Sequence, residues 1–369
     1  MIETNLTGLP LEKLDTPALL IDLDQFEQNL ARMQHLIAGS HCRCRPHVKS
    51  HKSPIIAHLQ VRHGAVGVCC AKVGEAEAMV AGGISDVHVT TPVSTPEKIS
   101  RLVALARRAD VSVVADHFDN VNALAEAASM SKISLKVLIE IDVGQQRCGL
   151  PPGAAAADLA DRIANSRGLI FAGLQGYQGR LQAIVSFADR RREVERSLAL
   201  LLETAEAVRN RGHPVEVLTG GGTGSSGIDI ELGGLNELQP GSYVFMDSTY
   251  RRIEWEPGQA SPFEPSLSIL GSVVSRPSAE RLVLDVGWKT ASSDSGPPVA
   301  KTTGWSFEFA GDEHGILHRT GGPSLALGDK IELVPSHCDT TVNLYDWFFG
   351  IRNGRIETVW PIAARGRSQ

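Results

Sequence analysis

The chain has 369 residues, 42% hydrophobic and 21% charged, enough for two domains with sizeable cores. A net charge of −6 and a pI near 6.1 argue against a nucleic-acid polyanion or an anionic membrane surface as partner. No apolar run reaches the roughly 18 residues that a transmembrane helix needs.

The N-terminal Met1-Ile2-Glu3-Thr4-Asn5 is acidic and lacks the basic and apolar regions of a signal peptide, so a cytoplasmic protein is expected. From residue 18 to about 245, short apolar runs alternate with longer amphipathic ones. The expected strands are 18–21, 42–45, 67–71, 86–90, 111–114, 135–143, 169–174, 215–218 and 237–245. Expected helices include 24–37, with Phe26, Leu30, Met33 and Ile37 at helical spacing, and 95–107, which opens on Ser94-Thr95-Pro96. A long helix over 183–211 has one charged and one Leu-rich face. Repeated strand–helix units imply a parallel sheet, and their number suits an α/β fold of the closed (β/α)8 TIM-barrel type. A doubly wound open sheet is the alternative, although GxGxxG is missing after the first strand. Past about residue 250, Pro, Gly, Ser and Thr rise and helical periodicity stops. The runs 267–275, 281–286, 330–333 and 355–359 predict a second, mainly β domain. The cysteines, Cys42, Cys44, Cys69, Cys70, Cys148 and Cys338, form no CxxC pair and are too sparse for a disulfide scaffold. Cys69 and Cys70 are expected as core thiols.

In such a barrel the reactive groups sit on loops after the strands. Arg45-Pro46-His47-Val48-Lys49-Ser50-His51-Lys52 follows one strand, and Lys49 there is a candidate Schiff-base amine. A solvated basic loop is the plainer alternative. Arg147 and Tyr177 also fall after strands. Thr219-Gly220-Gly221-Gly222-Thr223-Gly224-Ser225-Ser226 allows backbone N–H groups to converge on an anion without Cβ obstruction. It is no P-loop, because no Gly-Lys-Ser/Thr follows, and an ordinary turn is the competing reading. Gly241-Ser242 offers a second pair of donors, and together the loops suit a monophosphate. In Pro335-Ser336-His337-Cys338-Asp339, His337 and Asp339 lie two apart and would point the same way on an extended segment. A His with a carboxylate suits Mn²⁺, Mg²⁺ or Zn²⁺, with water or substrate completing the shell. A satisfied surface loop is again the alternative.

The combination of Asp15-Thr16-Pro17-Ala18-Leu19-Leu20, the segment 45–52, Cys70-Ala71-Lys72-Val73-Gly74-Glu75-Ala76-Glu77, the Gly220–Gly224 run and His337-Cys338-Asp339 resembles the D-threonine aldolase / D-serine dehydratase family. These are metal-activated, fold-type III pyridoxal-phosphate enzymes with an alanine-racemase-like barrel and a β domain. The resemblance covers nearly the whole chain. It implies that Lys49 binds the cofactor aldehyde, that Arg147 lies near its phenolic oxygen and that Tyr177 lines its pocket. Thr223, Gly224, Gly241 and Ser242, with Gly222 of the same run, would hold the phosphate. His337 and Asp339 would bind a divalent metal, Mn²⁺ or Mg²⁺ foremost, with Co²⁺ or Zn²⁺ open. It also places the first strand with the β domain, giving a barrel over 23–250 and a β domain of 1–22 plus 251–369.

His-x-Asp at 337–339 resembles the aldolases, whereas the dehydratases typically show His-x-Cys. The resemblance thus implies cleavage of D-3-hydroxy amino acids to glycine and an aldehyde by a homodimeric lyase, and the charge balance points to no nucleic-acid or membrane partner. Cleavage of 3-hydroxy-D-aspartate, dehydration of D-serine or 3-hydroxyaspartate, and a non-catalytic cofactor carrier are the alternatives. The chain departs from the family pattern where some relatives carry histidines, showing Gln178 and Ala183, and has Thr340 where proline is frequent.

Overall fold

Strand β1 (Ala18–Asp22) runs into a helix, Leu23–Ile37, capped by Asp22, whose Oδ1 accepts from Gln25 N at 3.1 Å. The computed structural model describes residues 6–369; the acidic stretch 1–5 lies outside the described residues. Next come β2 (Arg43–Cys44), β3 (Val68–Cys70), β4 (Asp86–Val89), β5 (Asp110–Ala115), β6 (Leu135–Glu140), β7 (Leu169–Gly176), β8 (Val217–Gly220) and β9 (Glu237–Leu238). They form an eight-stranded parallel sheet in the order β2-β9-β8-β7-β6-β5-β4-β3. Its two ends meet. Val66 N donates to Cys44 O at 3.0 Å, Cys69 N donates to Pro46 O at 2.9 Å, and His47 bridges Cys69. The circuit is therefore a barrel, and the open doubly wound alternative fails. β3 is wholly buried because helices cover parallel strands. The helix Pro96–Leu105 shows the matching logic. Pro96 starts it, and Ile99, Leu102, Val103 and Leu105 turn inward, each worth about 1.5–3 kcal/mol when fully buried.

The remaining strands are β10 (Leu267–Ser275), β11 (Arg281–Leu284), β12 (Val299–Ala300), β13 (Trp305–Phe309), β14 (Gly315–Arg319), β15 (Lys330–Val334), β16 (Trp347–Arg352) and β17 (Arg355–Pro361). With β1 they make a nine-stranded sheet. β1 lies antiparallel to β10 and parallel to β16, with Leu20 opposite both Ser268 and Phe349. No described helix is long and apolar enough to cross a membrane.

Two expectations need correction. The run 237–245 is a strand only over Glu237–Leu238; Ser242–Val244 is a 3-10 turn, because Pro240 and Gly241 break the ladder. The long helix begins at Phe187, not 183. Arg180–Ala183 forms a separate 3-10 turn, and Ser186 Oγ caps Asp189 N at 3.3 Å. β12, β13, β14 and β16 were not among the expected runs; β13 and β14 form a local hairpin, and β14 and β16 are held further by pairing with β11 and with β1.

Candidate functional site

At the C-terminal mouth of the barrel lies a solvent-open cleft of about 600 Å³, lined by Lys49, Arg147, Tyr177, Gly222, Thr223, Gly241 and Ser242. Gly224 is packed behind the wall, and the His337 segment closes one side.

Lys49 sits in the 3-10 turn Val48–Ser50 rather than an open loop. His47 fixes that turn. Its Nδ1 accepts from Lys49 N at 3.3 Å, and its Nε2 lies 3.1 Å from Thr90 Oγ1. With Nδ1 accepting, the ring proton belongs on Nε2, and burial holds the His47 pKa well below the usual histidine value. Ser50 Oγ donates to Gly241 O at 3.1 Å, which ties the lysine turn to the second anion loop. The neighbouring lysines are otherwise engaged. Lys52 Nζ lies 2.5 Å from Glu75 Oε1, both buried, and Glu75 Oε2 accepts from Ala71 N at 2.8 Å. Lys72 is exposed at the head of the helix Val73–Ala81.

Lys49 Nζ stands 3.3 Å from Asp339 Oδ2. That carboxylate outweighs burial and raises the Lys49 pKa above its usual value. Burial alone would have lowered it. Against burial, Lys49 and His337 hold Asp339 below the ordinary carboxylate range.

The glycine run passes a direct test for an anion. The N–H groups of Thr223, Gly224, Gly241 and Ser242 find no acceptor among the described residues. Thr223 Oγ1 accepts from Tyr243 N at 3.0 Å, so the two loops are one unit. A Cβ on Gly224 would stand 2.1 Å from Gln182 O, and one on Gly222 would stand 2.7 Å from Gln182 Oε1. At Gly224 the obstructing atom is backbone, so that position requires glycine. The four free amides fit a phosphate. Gly222 differs, because its N–H donates to Ser225 Oγ at 3.1 Å. Arg147 is exposed with its guanidinium 6.0 Å from the Tyr177 ring centroid, and it has no ion-pair partner among the described residues.

His337 and Asp339 do not lie on an extended segment. His337 is the residue before a short helix, Cys338–Val342, whose first turn carries Asp339. They converge nonetheless, with His337 Nε2 3.9 Å from Asp339 Oδ2. His337 Nδ1 lies 2.6 Å from Asp294 Oδ2, and Asp294 Oδ1 accepts from Thr340 Oγ1 at 2.8 Å. Burial would lower the His337 pKa, but Asp339 and Asp294 outweigh it and raise the value. Buried Asp247 anchors the segment, its Oδ2 accepting from Cys338 N at 3.1 Å and its Oδ1 from Tyr250 N at 3.0 Å. Among the described residues no group of three or more His, Cys, Asp or Glu side chains could hold a metal. The donor set fits a cation held by two side chains, one of them oriented from behind by a carboxylate. Cys338 is fully buried.

Sequence reasoning passed over His47, Thr90, Gln175, Gln239 and Tyr250 in the cleft, and Asp294 behind His337. The turn-like Ser292-Ser293-Asp294-Ser295-Gly296 marked a loop but not its partner.

The sequence profile of the alanine racemase N-terminal domain matches residues 21–249, and that of a serine dehydratase domain matches 266–351. A D-threonine aldolase of Arthrobacter sp is 40% identical over 364 residues, covering 98% of this chain and 96% of its own. A 3-hydroxy-D-aspartate aldolase of Paracoccus denitrificans (strain Pd 1222) is 41% identical over 368 residues, covering 98% and 95%. The crystal structure of D-threonine aldolase from Filomicrobium marinum superposes with a TM-score of 0.95 at 42% identity, covering 98% of each chain. With this barrel, this second sheet and these matches over nearly its whole length, the chain belongs to the D-threonine aldolase / D-serine dehydratase-like family of alanine-racemase-fold enzymes.

Proposed function

We propose that this chain is a carbon–carbon lyase that uses pyridoxal 5'-phosphate and a divalent cation to cleave D-3-hydroxy amino acids, D-threonine foremost, into glycine and an aldehyde. The observation that carries this reading is the 3.3 Å contact between Lys49, the lysine facing the cleft, and Asp339, which itself faces His337. Relatives named as aldolases, at 40% and 41% identity, support the same reaction.

Bound pyridoxal phosphate supplies a conjugated ring that accepts the electron pair of the broken Cα–Cβ bond. A divalent cation, Mn²⁺ or Mg²⁺ first and Co²⁺ or Zn²⁺ within the same donor chemistry, supplies Lewis acidity at the 3-hydroxyl. The residues of the chain do the rest. Lys49 would hold the cofactor through its amine. Freed from the cofactor, its amine would carry the proton that Cα needs before glycine can leave. The amides of Thr223, Gly224, Gly241 and Ser242 bind the phosphate. Arg147, whose guanidinium lies 6.0 Å from the Tyr177 ring centroid, would face the phenolic oxygen of the cofactor. His337, oriented by Asp294, and Asp339 hold the cation. The reading includes a cytoplasmic homodimer, a cofactor barrel over 23–250, and a β domain of 1–22 plus 251–369.

The test is a product assay. Enzyme stripped with EDTA and reloaded with single metals is mixed with D-threonine or 3-hydroxy-D-aspartate. Glycine with acetaldehyde, or glycine with glyoxylate, is expected. Formation of 2-oxobutanoate from D-threonine without glycine would make it a dehydratase.

A further inference from the structure

The glycine run has a second face, turned away from the cleft. There Asp229 is 5% exposed, and its Oδ2 accepts from Ser225 Oγ at 2.7 Å. The same Ser225 Oγ accepts from Gly222 N at 3.1 Å and from Gln182 Nε2 at 2.9 Å. A Cβ on Gly221, whose φ is +66°, would stand 2.4 Å from Asp229 Oδ2. The carboxyl therefore lies against the backbone of the run, one peptide layer behind the free amides of Thr223 and Gly224. Its other surroundings are Leu235 and the side chains of Leu198 and Leu201 on the helix Phe187–Asn210. The titratable side chain facing it from just before β2 is the Cys42 thiol, which burial, with Asp229 adding to it, pushes up to about 12 and so keeps neutral. No Lys, Arg or His among the described residues offsets the carboxyl, and burial pushes it up to about 7.

We propose that Asp229 is a positioning residue for the phosphate loop and that it takes up one solvent proton when a phosphate monoester occupies the cleft. This rests on reading the run as the phosphate cradle. A dianion in front of the layer and a carboxylate behind it, with no cation between, disfavour joint ionisation. The hydrogen bonds can follow the proton. Ionised, Asp229 accepts from Ser225. Protonated, it donates to Ser225 Oγ in place of Gln182 Nε2, and the Ser225 hydroxyl turns to Gly222 O, 3.5 Å away. Gly222 N keeps its acceptor in both states, so the loop keeps its shape.

The experiment titrates full-length apoenzyme with pyridoxal 5'-phosphate and with pyridoxal, at about pH 6 and about pH 8.5, in the wild type and in Asp229→Asn. The variant retains an oxygen acceptor for Ser225 without a charge. Between the two pH values the wild-type Kd for pyridoxal 5'-phosphate should weaken about tenfold more than that of the variant. Pyridoxal, which lacks the phosphate, should show no such gap. Parallel pH profiles for the two proteins would overturn the proposal. Should the variant fail to fold, calorimetry of the wild type in two buffers of different ionisation enthalpy counts the protons directly. Greater uptake with pyridoxal 5'-phosphate than with pyridoxal supports the coupling, and equal uptake sinks it. If the wild type bound pyridoxal 5'-phosphate no better than pyridoxal, the cradle itself would be refuted, which is a different failure.

Discussion

Lys49 Nζ and Asp339 Oδ2 lie 3.3 Å apart, so an amine at the barrel mouth and a carboxylate following β15 are counter-ions. The pair joins the barrel to the second domain at the cleft. It also leaves each group tuned by the other: the lysine stays charged and the carboxylate stays ionised despite burial.

Lys49→Ala should abolish the visible absorbance of the bound cofactor together with activity. Borohydride trapping and peptide mapping of the wild type should label Lys49. Label on Lys52 instead would contradict its 2.5 Å contact with Glu75 and would identify a different attachment amine.

Asp339→Ala should keep the colour and lose metal-dependent turnover. Asp294→Ala touches no cation in this reading, yet it releases His337 Nδ1 from its 2.6 Å partner. Metal affinity should fall about 10–100-fold, measured by titration of the metal-stripped enzyme. Unchanged metal affinity would mean that Asp294 does not orient the ligand.

Lys52→Met removes one half of a buried ion pair and leaves Glu75, which is 1% exposed, without its counter-ion. Unfolding in urea should show a loss of about 3–5 kcal/mol. Arg101→Ala breaks a pair on the surface, with Glu77, and should cost at most about 1 kcal/mol. Similar losses in both variants would remove the distinction drawn from burial.

Glu140 lies beneath the cleft, 3% exposed and bonded to Gln175 Nε2, and burial pushes its carboxyl up to about 8. The unfolded chain releases that proton near 4.5. Between these values the folded state holds the extra proton, so the contribution of this site to stability falls as pH rises and is level above about 8. Glu140→Gln should lose less stability than the wild type between about pH 5.5 and about pH 8.5, by a few kcal/mol at most. Equal losses of unfolding free energy between the two pH values in Glu140→Gln and the wild type, read from denaturant titrations, would show that Glu140 is not protonated in the fold.

The sequence by itself determined most elements of the barrel and their order, because periodicity is local. The run at 267–275 matches the observed β10, and the apolar spacing of residues 24–37 matches the helix Leu23–Ile37. Lys49, the glycine run and His337-x-Asp339 were legible for the same reason, since each is a short segment with unusual residue types. The tertiary structure decided what these segments face. Sequence could not show that Asp294 meets His337, that Lys52 belongs to Glu75, or that Asp339 rather than burial governs the charge of Lys49. Those pairings arise when the barrel closes and the second sheet packs on it. The energies that settle them act through space between residues far apart along the chain.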